Sequence, residues 1–411
     1  MRIVYVTSSL PNGKGEAFVI PEIEELRKRG HEVLIVPMYP RGAVLHEDVE
    51  PLLAHAVVRP LLSPEIAAAA TRELWRTPGK ALRPLGWLLR SRSLKILLKN
   101  LAVYLKGLWL ARLARGWKAD HIHVHWAATS ATMALVAGEL SGIPWSITAH
   151  RFDIVENNLL NVKAKKARFV RAINERGARE LTDRISSEAA QPFVLHMGIV
   201  LPPPIERSSA SRREHFRIVT PANLLEVKGH AYLLEAVRLL RDRQVPVSLD
   251  LAGAGPLRRE LERRTEELGL QEQVSFLGAV PHQKLLAQLN DGVWDMLVLP
   301  SVVTVSGEKE GIPVAVIEAM GCRVTVVSTT TGGIPELFEG ISDPPLVPPE
   351  DPEALADTIE RQIQDPELRQ RLVEEGRRRV EESFAIERVV GELILRFTEC
   401  ASSGAQRLEK P

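Results

Sequence analysis

The sequence predicts an α/β protein of two doubly wound halves, each a parallel sheet covered by helices, facing a central cleft. Three observations carry this. Strand-like apolar runs alternate with helix-like runs through both halves of the chain, the pattern of parallel sheets with crossover helices. The alternation breaks at Leu201-Pro202-Pro203-Pro204 and Ser208-Ser209-Ala210-Ser211, a Pro-rich then Ser-rich stretch with linker composition. The length of 411 residues fits two or three domains.

The first half, residues 1–200, opens with a strand over Ile3 to Thr7, a loop from Ser8 to Gly15, and a helix from about Phe18 to Arg29. Gly30 ends that helix, and Val33 to Pro37 is the next strand. His121–His125, Trp145–Ala149, Phe169–Ile173 and Phe193–His196 read as further strands. A basic helical insertion at about 41–118 separates the second strand from the third. Residues 201–215 form the linker. The second half, residues 216–385, has strands at Phe216–Thr220, Val247–Ala252, Val274–Leu277, Met296–Ser301 and Val324–Ser328, and charged helix from Leu355 to Glu382. A final helix and tail, 386–411, is expected to pack back on the first half. Ligands bind at the carboxyl ends of strands in such folds.

Composition excludes several classes. Hydrophobic content of 45% and charged content of 26% are ordinary for a globular protein. The net charge of +1 gives no global field for nucleic acid. Two cysteines, Cys322 and Cys400, exclude a disulfide framework and fit a reducing compartment. Met1 to Thr7 is too short an apolar run for a signal peptide, and no run is long and charge-free enough to span a bilayer. The expectation is a cytoplasmic protein, peripheral at the inner face of the plasma membrane if the insertion binds lipid. Between Arg72 and Lys118 lie ten further cations, among them Arg90, Arg92, Lys95 and Lys99, with Glu73 the only acid. Trp75, Trp87, Trp109, Trp117 and many Leu residues are interleaved. Segments such as Leu94–Lys99 and Leu101–Lys106 suggest basic amphipathic helices. These suit an anionic membrane surface at 72–118, or core-packing helices whose Lys and Arg stems reach solvent. No nucleic-acid motif accompanies the charge.

Candidate chemistry gathers where strands should end. Glu310 and Glu318 lie eight positions apart, with Gly311, Ile312, Pro313 and Val314 just after the first. Gly and then Pro, the latter at a first helical position, suit a helix start with close backbone approach. Free N–H groups there attract phosphate. Glu310 is then in the loop and Glu318 more than one turn into the helix, an arrangement able to grip both ends of a sugar nucleotide. Many surface helices also begin with Glu and Pro. Lys228 follows the first strand of the second half. It suits a departing diphosphate, or a solvated helix start. Gly253-Ala254-Gly255-Pro256 is a tight turn into a helix or a ligand approach. Arg258 stands where a dinucleotide fingerprint needs its third Gly, which argues against a dehydrogenase. Gly13 and Gly15 permit close approach of phosphate or acceptor, or form an ordinary loop. His150 ends a strand and suits a sugar hydroxyl or developing charge; a buried, satisfied His is the alternative. His121, His123 and His125 share one strand face, a poor tetrahedral set for zinc, so packing is expected.

The ordered set resembles the retaining nucleotide-sugar glycosyltransferases of family 4, which have the GT-B fold of two Rossmann-like domains. The similarity covers nearly the whole chain and is weakest from about 41 to 118. It rests on Glu310 and Glu318, Lys228-Gly229, Ala252-Gly253-Ala254-Gly255-Pro256-Leu257, Phe276-Leu277-Gly278, Leu299-Pro300-Ser301 and Gly332-Gly333-Ile334-Pro335-Glu336. Thr148-Ala149-His150 with Asp153-Ile154, and His196-Met197-Gly198-Ile199, match in the first half. Glu308-Lys309-Glu310 and Gly15-Glu16-Ala17-Phe18 look most like bacterial exopolysaccharide, colanic-acid-type, transferases. The resemblance implies that Glu318 holds the ribose hydroxyls, and that Glu310 contacts the donor sugar with backbone N–H groups of Gly311 to Val314. It implies that Lys228 binds the diphosphate with Asn223 and Gly253 nearby, that His150 lies near the transferred sugar, and that Gly13 or Gly15 lies near the phosphate and acceptor. His150, Glu310 and Lys228 are the expected catalytic residues. No metal or other cofactor is implied beyond the nucleotide-diphosphate sugar. The acceptor is a glycan or lipid-linked sugar, and nucleic acid is not a partner.

The family usually places Arg five positions before the Lys, where this chain has Asn223. One cation on the leaving diphosphate is therefore missing, a contact worth about 3 kcal/mol or a hundredfold in rate. Arg323 would replace it only by facing the cleft. Rival expectations are a GT-B epimerase or phosphorylase, and a non-catalytic scaffold subunit that binds donor or glycan.

Overall fold

A computed structural model describes residues 1–12, 16–40, 50–203 and 215–408. Gly13 and Gly15, two of the expected site residues, lie outside the described residues, as do 41–49 and most of the expected linker. The chain divides into unit 1, Met1–Gly198 with Ile386–Pro411, and unit 2, Ile199–Ala385.

Unit 1 runs β1 (Arg2–Thr7), α1 (Ile20–Lys28), β2 (Glu32–Pro37), α2 (Glu50–Leu53), α3 (Pro64–Arg76), α4 (Pro78–Leu88), α5 (Leu94–Gly116), β3 (His121–His125), α6 (Thr129–Ser141), β4 (Trp145–Ala149), α7 (Arg151–Glu156), α8 (Leu160–Lys166), β5 (Val170–Ala172), α9 (Glu175–Thr182) and β6 (Pro192–Val194). The six strands form one sheet in the order β2-β1-β3-β4-β5-β6. Every neighbouring pair is parallel. Alternate residues of β1 serve opposite layers, as strand geometry requires. Val4 and Val6 join a core with α3 to α6, while Ile3 and Tyr5 pack toward α1 and the chain's last helix.

Unit 2 runs β7 (Phe216–Thr220), α10 (His230–Asp242), β8 (Val247–Leu251), α11 (Arg258–Glu267), β9 (Val274–Phe276), α12 (His282–Asn290), β10 (Met296–Leu299), α13 (Val314–Gly321), β11 (Thr325–Thr329), α14 (Ile334–Leu337), β12 (Leu346–Val347), α15 (Pro352–Gln364) and α16 (Pro366–Ser383). Its sheet is again six parallel strands, in the order β12-β11-β10-β7-β8-β9. One face packs on α13 and α16, the other on α10 and α15. Asp351 and Asp365 cap α15 and α16, each accepting a backbone N–H (2.9 and 2.8 Å), with Pro at the first helical position. Both devices favour a helix start.

The last helix, α17 (Ile386–Leu408), belongs to unit 1. Val390, Leu393 and Phe397 fill the layer beneath β1 beside Ile3 and Tyr5.

The insertion resolves its two expected readings differently along its length. Gly107 of α5 lies against α6, where an added Cβ would be 2.7 Å from Val136. Val103, Leu108, Trp109, Leu110 and Ala111 are buried in the core. Lys106 is buried too; its Nζ donates to the carbonyls of Pro37, Met38 and Arg59 (2.7, 2.8 and 2.8 Å), and burial pulls its pKa down to about 8. Core packing thus wins in α5 from Val103 onward, and within α5 the expected amphipathic character is confined to the first turns. Among the described residues no helix is long and apolar enough to cross a membrane.

Candidate functional site

In unit 2 the strand order reverses between β7 and β10, and such switch points open a crevice at the carboxyl ends of the strands. The loops leaving β7 and β10 meet there. Gly229 has φ +69°, and an added Cβ would lie 1.9 Å from the Pro300 carbonyl oxygen. Only glycine permits this approach. It brings Lys228 against Glu310: the Lys228 ammonium forms an ion pair with Glu310, and the Ser301 hydroxyl donates to the same carboxylate oxygen at 3.3 Å. Gly332 supports the loop from the other side. It has φ +63°, an added Cβ would lie 1.9 Å from the Glu310 carbonyl oxygen, and Gly333 N–H donates to that oxygen at 3.3 Å.

The helix after Glu310 starts one residue later than expected. Pro313 is extended (φ −76°, ψ 116°) and occupies the N-cap, so α13 begins at Val314 with no side chain capping it. Gly311 and Ile312 stay in the loop. Glu318 falls on the second turn, buried, with an oxygen 2.6 Å from Nε2 of His282 at the start of α12. His282 was not anticipated. A Pro-His pair after the β9 turn was its only sequence signal.

The remaining unit 2 expectations divide. Gly253 is explained by packing, since an added Cβ would lie 1.8 Å from the Ala222 carbonyl oxygen. Asn223, on the loop after β7, is exposed. Arg323 does not substitute for the missing cation at this edge. It precedes β11, so in a parallel sheet it stands at the opposite edge from Lys228 and Glu310.

In unit 1, His150 ends β4 and opens α7 in extended conformation. The Asp153 carboxylate accepts both the His150 and the Ala127 backbone N–H (2.9 and 2.7 Å). Burial nevertheless raises Asp153 to about 7, and lowers the neighbouring Lys163 to about 7. Lys163 donates to the Ala127 and Ala128 carbonyls (2.9 and 2.6 Å). The His150 ring stacks on Trp126 with centroids 4.2 Å apart. Its Nε2 lies 3.4 Å from Nδ1 of His125. Burial holds His150 well below the ordinary histidine pKa, hence neutral at pH 7.

A buried polar chain continues inward. His125 Nε2 lies 2.9 Å from the Tyr5 hydroxyl and 3.3 Å from Glu22, Tyr5 donates to Glu22, and Arg171 donates to Glu22 at 2.7 Å. Burial would push the Glu22 carboxyl up, but the Arg171 guanidinium and the His125 bond hold it well below the usual carboxylate range. Glu16 gathers the loop after β1, accepting N–H groups of Ser8, Ser9 and Leu10 (2.8, 2.6 and 2.8 Å) and the Trp126 indole (2.6 Å). Glu22, Trp126 and Arg171 were not anticipated because their partners are distant in sequence. Glu16, whose loop partners lie only six to eight positions away, entered the sequence reading only as part of the resemblance.

The three-histidine strand is a packed element. His121 and His123 share the Ser146 hydroxyl (2.7 and 2.8 Å), and His123 also meets Thr148 (3.0 Å). Phe397 of α17 packs on both rings. Glu22, His123 and His125 do place ligand atoms within 4.8 Å of one another. Arg171 on Glu22 and two hydroxyls on His123 already occupy that donor set.

The family model for glycosyl transferases group 1 matches residues 203–379, and that for the glycosyl transferase 4-like domain matches residues 21–190. The chain belongs to the glycosyl transferases of this type. A putative colanic acid biosynthesis glycosyltransferase of Escherichia coli, WcaL, is 38% identical over 41% of this chain. The chain spans 41% of the length of that relative and 34% of the amylovoran biosynthesis glycosyltransferase AmsK of Erwinia amylovora (35% identical over 34% of this chain). A putative teichuronic acid biosynthesis glycosyltransferase of Bacillus subtilis, TuaC, is 27% identical over 91% of this chain and 93% of its own length. Among solved structures, Anabaena HepE in complex with UDP matches with a TM-score of 0.69 at 17% identity, over 97% of this chain and all of that one. The fold of this glycosyl transferase is therefore GT-B.

Proposed function

We propose that the chain transfers a sugar from a nucleotide-diphosphate donor to a glycan or lipid-linked acceptor, with retention and without a metal, in the building of an exopolysaccharide or cell-envelope polysaccharide. The observation that carries this is the meeting of Lys228 and Glu310 at the switch point of unit 2, with Glu318 one turn into the following helix. A cation there neutralises the departing diphosphate, and a carboxylate beside it is placed for sugar hydroxyls. Glu318 suits the ribose. The bond from the anomeric carbon to the diphosphate breaks while an acceptor hydroxyl attacks from the same face, its proton passing to the departing diphosphate oxygen. The names of the relatives support a polysaccharide acceptor. The protein then works in the cytoplasm, peripheral to the membrane through residues 72–118.

Thermal unfolding with UDP-, GDP- and ADP-sugars tests donor binding, because a ligand that binds only the folded state raises stability. One donor should stabilise the protein, and turnover with a labelled form of it should persist in EDTA. Stabilisation by none would sink the proposal. Exposed, neutral Asn223 favours one other reading, a subunit that binds donor without turning it over; sugar transfer by the isolated chain dismisses it.

A further inference from the structure

The first turns of α5 carry a stripe that the core does not use. Leu94, Leu98, Leu101 and Leu105 recur at helical spacing, so they share one face. Leu94, Leu98 and Leu101 are 71%, 58% and 41% exposed, and Leu89 at the end of α4 is 72% exposed. Ile96, Asn100 and Val103 on the opposite face are buried. The stripe ends at an open apolar pocket of about 280 Å³, lined by Leu105 with Leu61, Leu62, Pro64, Ile66 and Ala67. Contiguous exposed apolar surface of this kind marks an interaction site.

Charge selects the partner. Arg90, Arg92 and Lys95 surround the start of the stripe, all exposed and without an ion pair among the described residues. Lys99, next along the helix, meets Glu156 at 2.6 Å. Glu73, the one acid between residues 72 and 118, is buried against Arg115 on α5. A leucine stripe bordered by unpaired cations fits the boundary between anionic headgroups and acyl chains. A protein partner would need a matching acidic rim around an apolar ridge.

We propose that the α4–α5 corner of unit 1 docks on an anionic phospholipid surface, with Leu89, Leu94, Leu98 and Leu101 in the acyl boundary and Arg90, Arg92 and Lys95 on lipid phosphates. This deepens, and rests on, the peripheral-membrane part of the function proposed above.

The test uses the full chain and vesicles of equimolar phosphatidylcholine and phosphatidylglycerol, with pure phosphatidylcholine as control. The protein should co-sediment with the anionic vesicles only, less so as salt is raised. Leu94→Asp with Leu98→Asp, and separately Arg92→Glu with Lys95→Glu, should each weaken binding at least about tenfold. Leu395→Asp, at an exposed position of α17, should leave it unchanged. All variants should keep the wild-type melting temperature and its rise with donor. No binding to anionic vesicles at low salt overturns the proposal, as does binding insensitive to both double variants. A lipid-free dimer abolished by the leucine variant assigns the stripe to a second copy and overturns it too. Vesicle binding that persists while no sugar nucleotide stabilises the chain leaves the docking surface standing and rejects the transferase function instead.

Discussion

Lys228 is held by Glu310 before any donor arrives, so the two side chains should have opposite effects on nucleotide affinity. Lys228→Met removes the cation that meets the diphosphate. A hydrogen bond to a charged group is worth about 1.5–3 kcal/mol, so affinity for the matching nucleoside diphosphate should fall roughly 10- to 150-fold. Glu310→Gln removes the competitor. The pair is partly shielded, with side chains 19% and 13% exposed, and such a pair is worth at most about 1 kcal/mol. Freed from it, Lys228 should bind the diphosphate up to about fivefold more tightly. Sugar transfer should fall by about a hundredfold or more in the same variant, because the contact to the donor sugar is lost. Titration calorimetry with UDP, GDP and ADP reads the affinities, and a labelled-donor assay reads transfer. If Glu310→Gln weakens diphosphate binding as much as Lys228→Met does, the competition does not exist. If Lys228→Met leaves binding unchanged, the cation does not meet the diphosphate.

Arg171→Met should cost about 3–5 kcal/mol by urea denaturation, because it strands a fully buried Glu22 carboxylate; adding Glu22→Gln should recover much of that loss. Gly332→Ala combines a left-handed backbone with a Cβ 1.9 Å from the Glu310 carbonyl, so it should lower the melting temperature and abolish transfer together. Folded Asp153 has a pKa raised to about 7. It binds more protons than the unfolded chain between about pH 4 and 7, and its contribution, complete below that window, is lost as pH rises through it. Asp153→Asn keeps one acceptor for both backbone bonds and should flatten this fall. Lys163, lowered to about 7, acts oppositely: from about pH 7 to 10 the unfolded chain binds the extra proton, so stability rises with pH. Lys163→Met should remove that rise.

Much of the frame was legible because a buried parallel strand writes itself as a short apolar run. His121–His125, Trp145–Ala149 and Phe216–Thr220 have the expected bounds. Two-residue β12 carried too little pattern to be seen. In the candidate site, Glu310 and Lys228 were legible because each follows a strand with glycine beside it, and Glu318 because it stands eight positions after Glu310. Arg171, Glu22 and His282 were not, because each gains its partner from an element distant in sequence. The insertion misled for a related reason. Lys106 looks like a solvent-facing charge in sequence, yet it ties three backbone carbonyls inside unit 1. Charge alone does not reveal whether a lysine faces solvent or caps an orphan backbone group.

The place of α17 bears on how the molecule is made. Unit 2 is one unbroken stretch, whereas unit 1 is closed by residues synthesised after unit 2. As the chain leaves the ribosome, the sheet of unit 1 emerges first but lacks Val390, Leu393 and Phe397 to cover Ile3, Tyr5 and the histidine strand. Its apolar face must wait while nearly two hundred residues are translated, roughly ten to forty seconds at bacterial or eukaryotic speeds. The later-made unit thus has every contact it needs before the earlier one does, and the nascent first half is the natural client of a chaperone.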